Sequence, residues 1–171
     1  MDLHVRLAIA ALAAGSCLAP AGATSNYDYV YTNAAQACQL SIPTIDTQVS
    51  PRANGFRNDG NSTTWVICGL WNPVETDTYY LDASIYLSTA DGAAHDVNCT
   101  GVNGDGSGTQ QYMSKTIHVA AGSPNATVFS AVDFGGSTSI PNGYNFSITC
   151  ALPPHAAIER VSAHVFRNIG A

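Results

Sequence analysis

Positive charge is almost missing from this chain. Lys and Arg together number 6 in 171 residues, and Lys115 is the one lysine. Acidic residues number 12, and the formal net charge is −6. Arg52, Arg57, Arg160 and Arg167 are scattered along the sequence. They build neither a phosphate-tracking face nor a patch for anionic lipid. Nucleic acid is therefore excluded as a partner.

Long apolar runs are lacking too. The stretch from Leu7 to Ala14 is shorter than the about 20 residues that a bilayer core requires, so no membrane span is expected. Beyond residue 23 no sustained 3.6-residue periodicity appears, which argues against a helical domain. There is no Cys-x-x-Cys pair for redox work and no Gly-x-Ser-x-Gly nucleophile turn. His95, His118, His155 and His164 stand apart from one another and from the cysteines, so no metal centre and no cofactor are expected. Glu75 and Glu159 are the only glutamates, a thin supply for paired-carboxylate hydrolysis.

What is present begins with an export signal. Arg6, the apolar stretch after it, Pro20 and the small residues Ala21-Gly22-Ala23 form the three parts of a cleavable secretory peptide over residues 1–23. Cys17 follows small residues but lacks the bulky aliphatic expected at position 14 before a lipidated cysteine. Residues 24–171 then form a single exported domain, extracellular or periplasmic. Four further cysteines, Cys38, Cys68, Cys99 and Cys150, suit an oxidising compartment and two disulfides. Of three connectivities, the slow growth of loop-closure cost favours near neighbours, Cys38–Cys68 and Cys99–Cys150.

Period-two alternation recurs through the domain. Tyr79 to Thr89 reads as the clearest strand, with Tyr79, Leu81, Ala83, Ile85 and Leu87 inward and Tyr80, Asp82, Ser84 and Tyr86 on a wetter face. Trp65 to Trp71 reads as a central strand. Cys38–Ile42, Gln111–Val119, Ala126–Phe134, Tyr144–Cys150 and Ala157–Arg167 read as further strands. Val128, Val132 and Phe134 are assigned to one inner face. Tyr27, Tyr29 and Tyr31 alternate as on an edge strand, with an arm that adds to a neighbour's sheet as the weaker reading. Gln48–Thr64 and Val102–Gly108 are rich in turn formers and read as loops. About seven or eight short strands predict an all-β, antiparallel β-sandwich of Greek-key, jelly-roll or Ig-like type, stapled by disulfides.

Asn103 to Gly108 looks like the first half of a calcium loop, yet Ser114 stands where a bidentate glutamate belongs, so it reads as a turn. Asn61, Asn98, Asn125 and Asn145 begin Asn-x-Ser/Thr patterns, close to the number such a composition gives by coincidence. The candidate ligand site is aromatic: Trp65, Trp71, Tyr80, Tyr86 and Tyr112, with Asp82 as a hydrogen-bond partner. The expectation is a secreted, non-enzymatic β-sandwich that binds an extracellular partner or serves as a surface component. Its alternatives are a carbohydrate-binding module using those rings, with a glycan or a surface protein as partner, and a small hydrolase without an identified site.

Overall fold

The computed structural model describes residues 24–42, 48–70, 78–104, 109–141 and 145–169. The signal-like stretch 1–23, Trp71 and the centre of the calcium-like loop, 105–108, lie outside them. Within them the chain forms two antiparallel sheets packed face to face, with two disulfides, as the alternation predicted. No helix among the described residues is long and apolar enough to cross a membrane.

The larger layer is organised on β11 (Ala156–Ile169), the longest strand. One edge of β11 pairs with β6 (Thr78–Thr89), which in turn pairs with β9 (Asn125–Ser130). Its other edge is shared. β4 (Gly55–Asn58) takes Ala157 and Ile158, and β1 (Thr24–Asn33) takes the stretch from Arg160 to Ile169. Glu159 has no partner between them, a bulge that hands the edge from one strand to the next. β3 (Val49–Arg52) lies outside β4. The smaller layer runs β2 (Cys38–Leu40), β5 (Thr64–Gly69), β10 (Asn145–Leu152), β7 (His95–Gly104), β8 (Gln110–Val119).

Both disulfides lie within the smaller layer. Cys38 sits directly opposite Cys68 on β2 and β5, and Cys99 opposite Cys150 on β7 and β10. All four cysteines are buried and point toward the other sheet. The pairing agrees with the loop-closure expectation; the staples hold strands side by side instead of clamping one layer to the other.

Period-two patterning fills the space between the layers. Ala83, Ile85 and Leu87 of β6, Val161, Ala163 and Val165 of β11, Phe146, Ile148 and Cys150 of β10, and Ile117 and Val119 of β8 are all buried. Phe146 is the hub, with Tyr80 at 5.9 Å, Phe129 at 6.4 Å and Phe134 at 5.4 Å between ring centroids. Rings at these separations add packing specificity beyond their area.

The structure corrects four expectations. Gln48–Thr64 is no loop: it contains the β3–β4 hairpin, which buries Phe56 and Asn58. The Asn58 amide is fully used, donating to the carbonyls of Ser62 and Leu152 and accepting from the Gly60 amide. Val102–Gly104, also assigned to a loop, is the end of β7, a strand absent from the expected set. β9 stops at Ser130, where a 3₁₀ turn (Ala131–Phe134) begins; Phe129 takes the inner face, and Val128 and Val132 are exposed. That turn breaks the period of two and brings Phe134 back into the core.

The fourth correction concerns phase. Asp82 pairs with His164 and Tyr80 with Val165, so Leu81 is left over as a bulge in β6. Inward residues before the bulge are therefore even-numbered and after it odd-numbered. Tyr80 is completely buried and Tyr79 is outside.

Candidate functional site

The predicted aromatic platform does not assemble. Tyr80 belongs to the core, for the reason of phase just given. Asp82 and Tyr86 lie on the outer face of the larger layer, whereas Trp65 and Tyr112, 51% and 62% exposed, lie on the outer face of the smaller one. Trp65 and Tyr112 are themselves far apart. Three strand spacings and four residues separate their positions, a diagonal of about 19 Å. Between them are Thr100 and Ser114, joined by a 2.8 Å hydrogen bond, and Asn98, which accepts from the Thr116 hydroxyl at 2.7 Å.

A denser aromatic surface forms on the larger layer, from residues that sequence distance conceals. In the register of β6, β11 and β1, Tyr79, Phe166 and Tyr27 make one row across the sheet, and Asp82, His164 and Tyr29 the next. Tyr79 stacks on Phe166 at 4.9 Å, and Tyr27 meets Phe166 edge-on at 5.3 Å. Tyr29 stacks on the His164 imidazole at 4.1 Å with an interplanar angle of 6°. His164 Nδ1 lies 3.1 Å from Asp82 Oδ2, which fixes the ring in the row.

Ser84 and Ser162 follow as a row of small, nearly covered side chains with Tyr31 at its β1 end. Beyond them Arg160 spreads its guanidinium over two rings, 4.1 Å from the Tyr86 centroid and 5.2 Å from that of Tyr31. The cation thus lies over two phenol rings, whose faces attract it. Tyr27, Tyr29 and Tyr31 remain 61%, 58% and 55% exposed despite these contacts. Rings of this size standing together in solvent form the kind of surface that soluble proteins use for recognition.

The chemistry available here is adhesive. Stacking surfaces alternate with a carboxylate, an imidazole and a guanidinium, groups that orient a polar ligand. The Asp82–His164 pair has the geometry of the oriented half of a catalytic triad, but no serine hydroxyl is hydrogen-bonded to His164 among the described residues. Two other pairs, His95–Asp91 at 2.9 Å and His118–Asp96 at 2.8 Å, sit on the surface near strand ends. The calcium-like segment begins on Asn103, whose buried amide donates to the Pro141 carbonyl and to Gln111.

The alternation in β1 and β6 points to Tyr27, Tyr29, Tyr31, Asp82 and Tyr86 as outward residues. Tyr79, Arg160, His164 and Phe166 join the same surface without having been expected there. The available signal was the alternation of Arg160, Ser162, His164 and Phe166 opposite a tyrosine-bearing edge strand.

No family model matches the chain, and no curated protein matches it. Among solved structures it is similar to the CBM22-1 xylan-binding domain of Xyn10C from Paenibacillus barcinonensis, at 15% identity over 84% of this chain and 96% of that one, with a TM-score of 0.44. It is similar to the family 11 carbohydrate-binding module from Clostridium thermocellum, at 13% identity over 85% and 89%, with a TM-score of 0.38. It is also similar to a chain of the disulfide-linked pili that form Bacillus endospore appendages, at 17% identity over 91% and 97%, with a TM-score of 0.34.

Proposed function

We propose that residues 24–171 are an exported binding module that takes a neutral polysaccharide on the outer face of the larger sheet. Residues 1–23 act as its secretion signal in this reading, and the two disulfides suit the oxidising compartment to which it leads. The observation that carries the proposal is the run of rings on this face, with Tyr79, Tyr27, Tyr29 and Tyr31 exposed and Phe166 and Tyr86 half-buried beside them. A sugar ring offers an apolar C–H face and a rim of hydroxyls. The phenols match the first, and Asp82, His164 and Arg160 match the second.

Electrophoresis of the secreted protein through gels containing soluble polysaccharides tests this. Retardation by at least one glycan is expected, weakened about tenfold in affinity by Tyr29→Ala or Phe166→Ala, a loss of ~1.4 kcal/mol. Trp65→Ala and Tyr112→Ala, on the opposite face, should leave it intact. If those two abolish binding and the β1 and β11 variants do not, the assigned face is wrong. If no glycan in a broad panel retards the protein, the reading fails as a whole. Trp65 lies on the far side of the sandwich, so its own fluorescence is a poor reporter of binding to this face.

A further inference from the structure

The outward edge of β1 has no partner strand among the described residues, and it lacks the devices that keep such edges single. The other outer strands have them. β2 is three residues long, and β3 carries Pro51 and Arg52. β8 turns Lys115 inward, where its ammonium donates to the Val128 carbonyl at 2.7 Å and to Asp133 at 2.7 Å, tying the free edges of β8 and β9 to each other. β1 is ten residues long, without proline or lysine, and carries one charge, Asp28. Arg167 lies 3.4 Å from that carboxylate and neutralises it.

We propose that this edge pairs with β1 of a second copy of the chain, antiparallel about a twofold axis at Tyr29, so that two larger layers become one continuous sheet. Geometry and charge select that register. A twofold axis perpendicular to the sheet keeps each copy's outer face outward. Directly opposed residues must then both be outward or both inward, so only an odd-numbered residue can face an odd-numbered one across the seam. Two registers give the longest overlap, one centred on Asp28 and one on Tyr29. The first sets Asp28 against its own copy, a repulsive pair. The second sets Asp28 against Val30 and Tyr27 against Tyr31.

A further feature agrees with this register. Tyr29 stacks on His164 and lies beside Tyr31, with 6.3 Å between ring centroids, yet stays 58% exposed at the seam, where it would meet the second copy's Tyr29. The interaction does not depend on the glycan reading: it is a property of the strand edge, and a protein that binds no sugar would still show it.

The test uses the secreted protein, followed by sedimentation over a wide concentration range, with thermal denaturation to confirm that each variant folds. The wild type should pass from monomer to dimer as concentration rises. Tyr29→Lys, which sets two ammonium groups across the axis, should stay monomeric with an unchanged far-ultraviolet spectrum. Under mild oxidation Tyr29→Cys should cross-link as its main product, while Tyr27→Cys, about 14 Å from its own copy in this register, should not. A wild type that is monomeric throughout overturns the proposal. So does a dimer that Tyr29→Lys leaves intact, or one that cross-links through position 27 and not through 29.

Discussion

Gly101 of β7 lies directly beneath the ring of Phe129 of β9, across the interior of the sandwich; a Cβ built on it would come within 2.7 Å of Phe129 Cδ1. The ring is fully buried, so it has nowhere to retreat. Gly101→Ala is expected to cost about 1–3 kcal/mol, the penalty of forcing a methyl group into a filled core. In the double variant with Phe129→Leu the total should be smaller than the sum of the single losses, because the shortened side chain vacates the space. Urea denaturation of the four proteins measures this, and strict additivity would show that the two residues are not in contact.

The bulge at Leu81 makes a sharp distinction between neighbours. Tyr80→Ala should lose about 3–5 kcal/mol, because it empties a core position next to Phe146. Tyr79→Ala removes one stacked partner of Phe166 on the surface and should lose about 0.5–1 kcal/mol. Comparable losses at the two positions would mean that the strand is not phased as described.

The two disulfides close loops of different length, 30 residues for Cys38–Cys68 and 51 for Cys99–Cys150. Replacing either pair by alanine should destabilise the domain by about 2–5 kcal/mol, and the longer loop should cost the more by about 0.5 kcal/mol. Guanidinium denaturation of the two double-alanine proteins gives the order. Its reversal would place the effect in native packing around the sulfur atoms instead of in the unfolded chain.

Acid should weaken the fold through Asp133. Burial alone raises the pKa of this carboxyl, but the Lys115 ammonium and the Ser130 amide and hydroxyl outweigh it, and the net shift is downward. The unfolded group titrates near pH ~3.9. The folded state therefore gains stability from the carboxylate above that value and loses it as pH falls through the lower folded pKa. Asp59, held down by Arg57 and Arg52, works in the same direction. The denaturation midpoint should drop on going from pH 5 toward pH 2, and drop less in Asp133→Asn, which has no carboxylate to protonate. An equal drop in both proteins would remove Asp133 from the acid response.

Much of the fold could be read from period two alone, because most strands keep one face in the core. β6, β8, β10 and β11 sit within a few residues of where their alternation puts them. β7 escaped because its inward positions include Gly101 and Asn103, residues that ordinarily mark turns. One is small to admit a ring from the opposite sheet, and the other is buried with its amide nitrogen donating to Gln111 and to the Pro141 carbonyl. β3 escaped behind Pro51, which an outer strand tolerates. The aromatic face was only half legible. The tyrosines of β1 announce themselves, but their meeting with His164 and Phe166 depends on a register about 135 residues away in the chain, and local pattern carries no information about it.

Thr24 stands opposite Ile169, at the last rung of the β1–β11 ladder. The two ends of the described fold consequently leave from the same tip of the sandwich. Tension delivered through both would part the rungs one after another, as a zipper opens, and the first strand would peel away at modest force. Tension entering instead at Asn33, against Ile169, would strain all the rungs together in shear, so the mechanical toughness of the domain depends on where it is held.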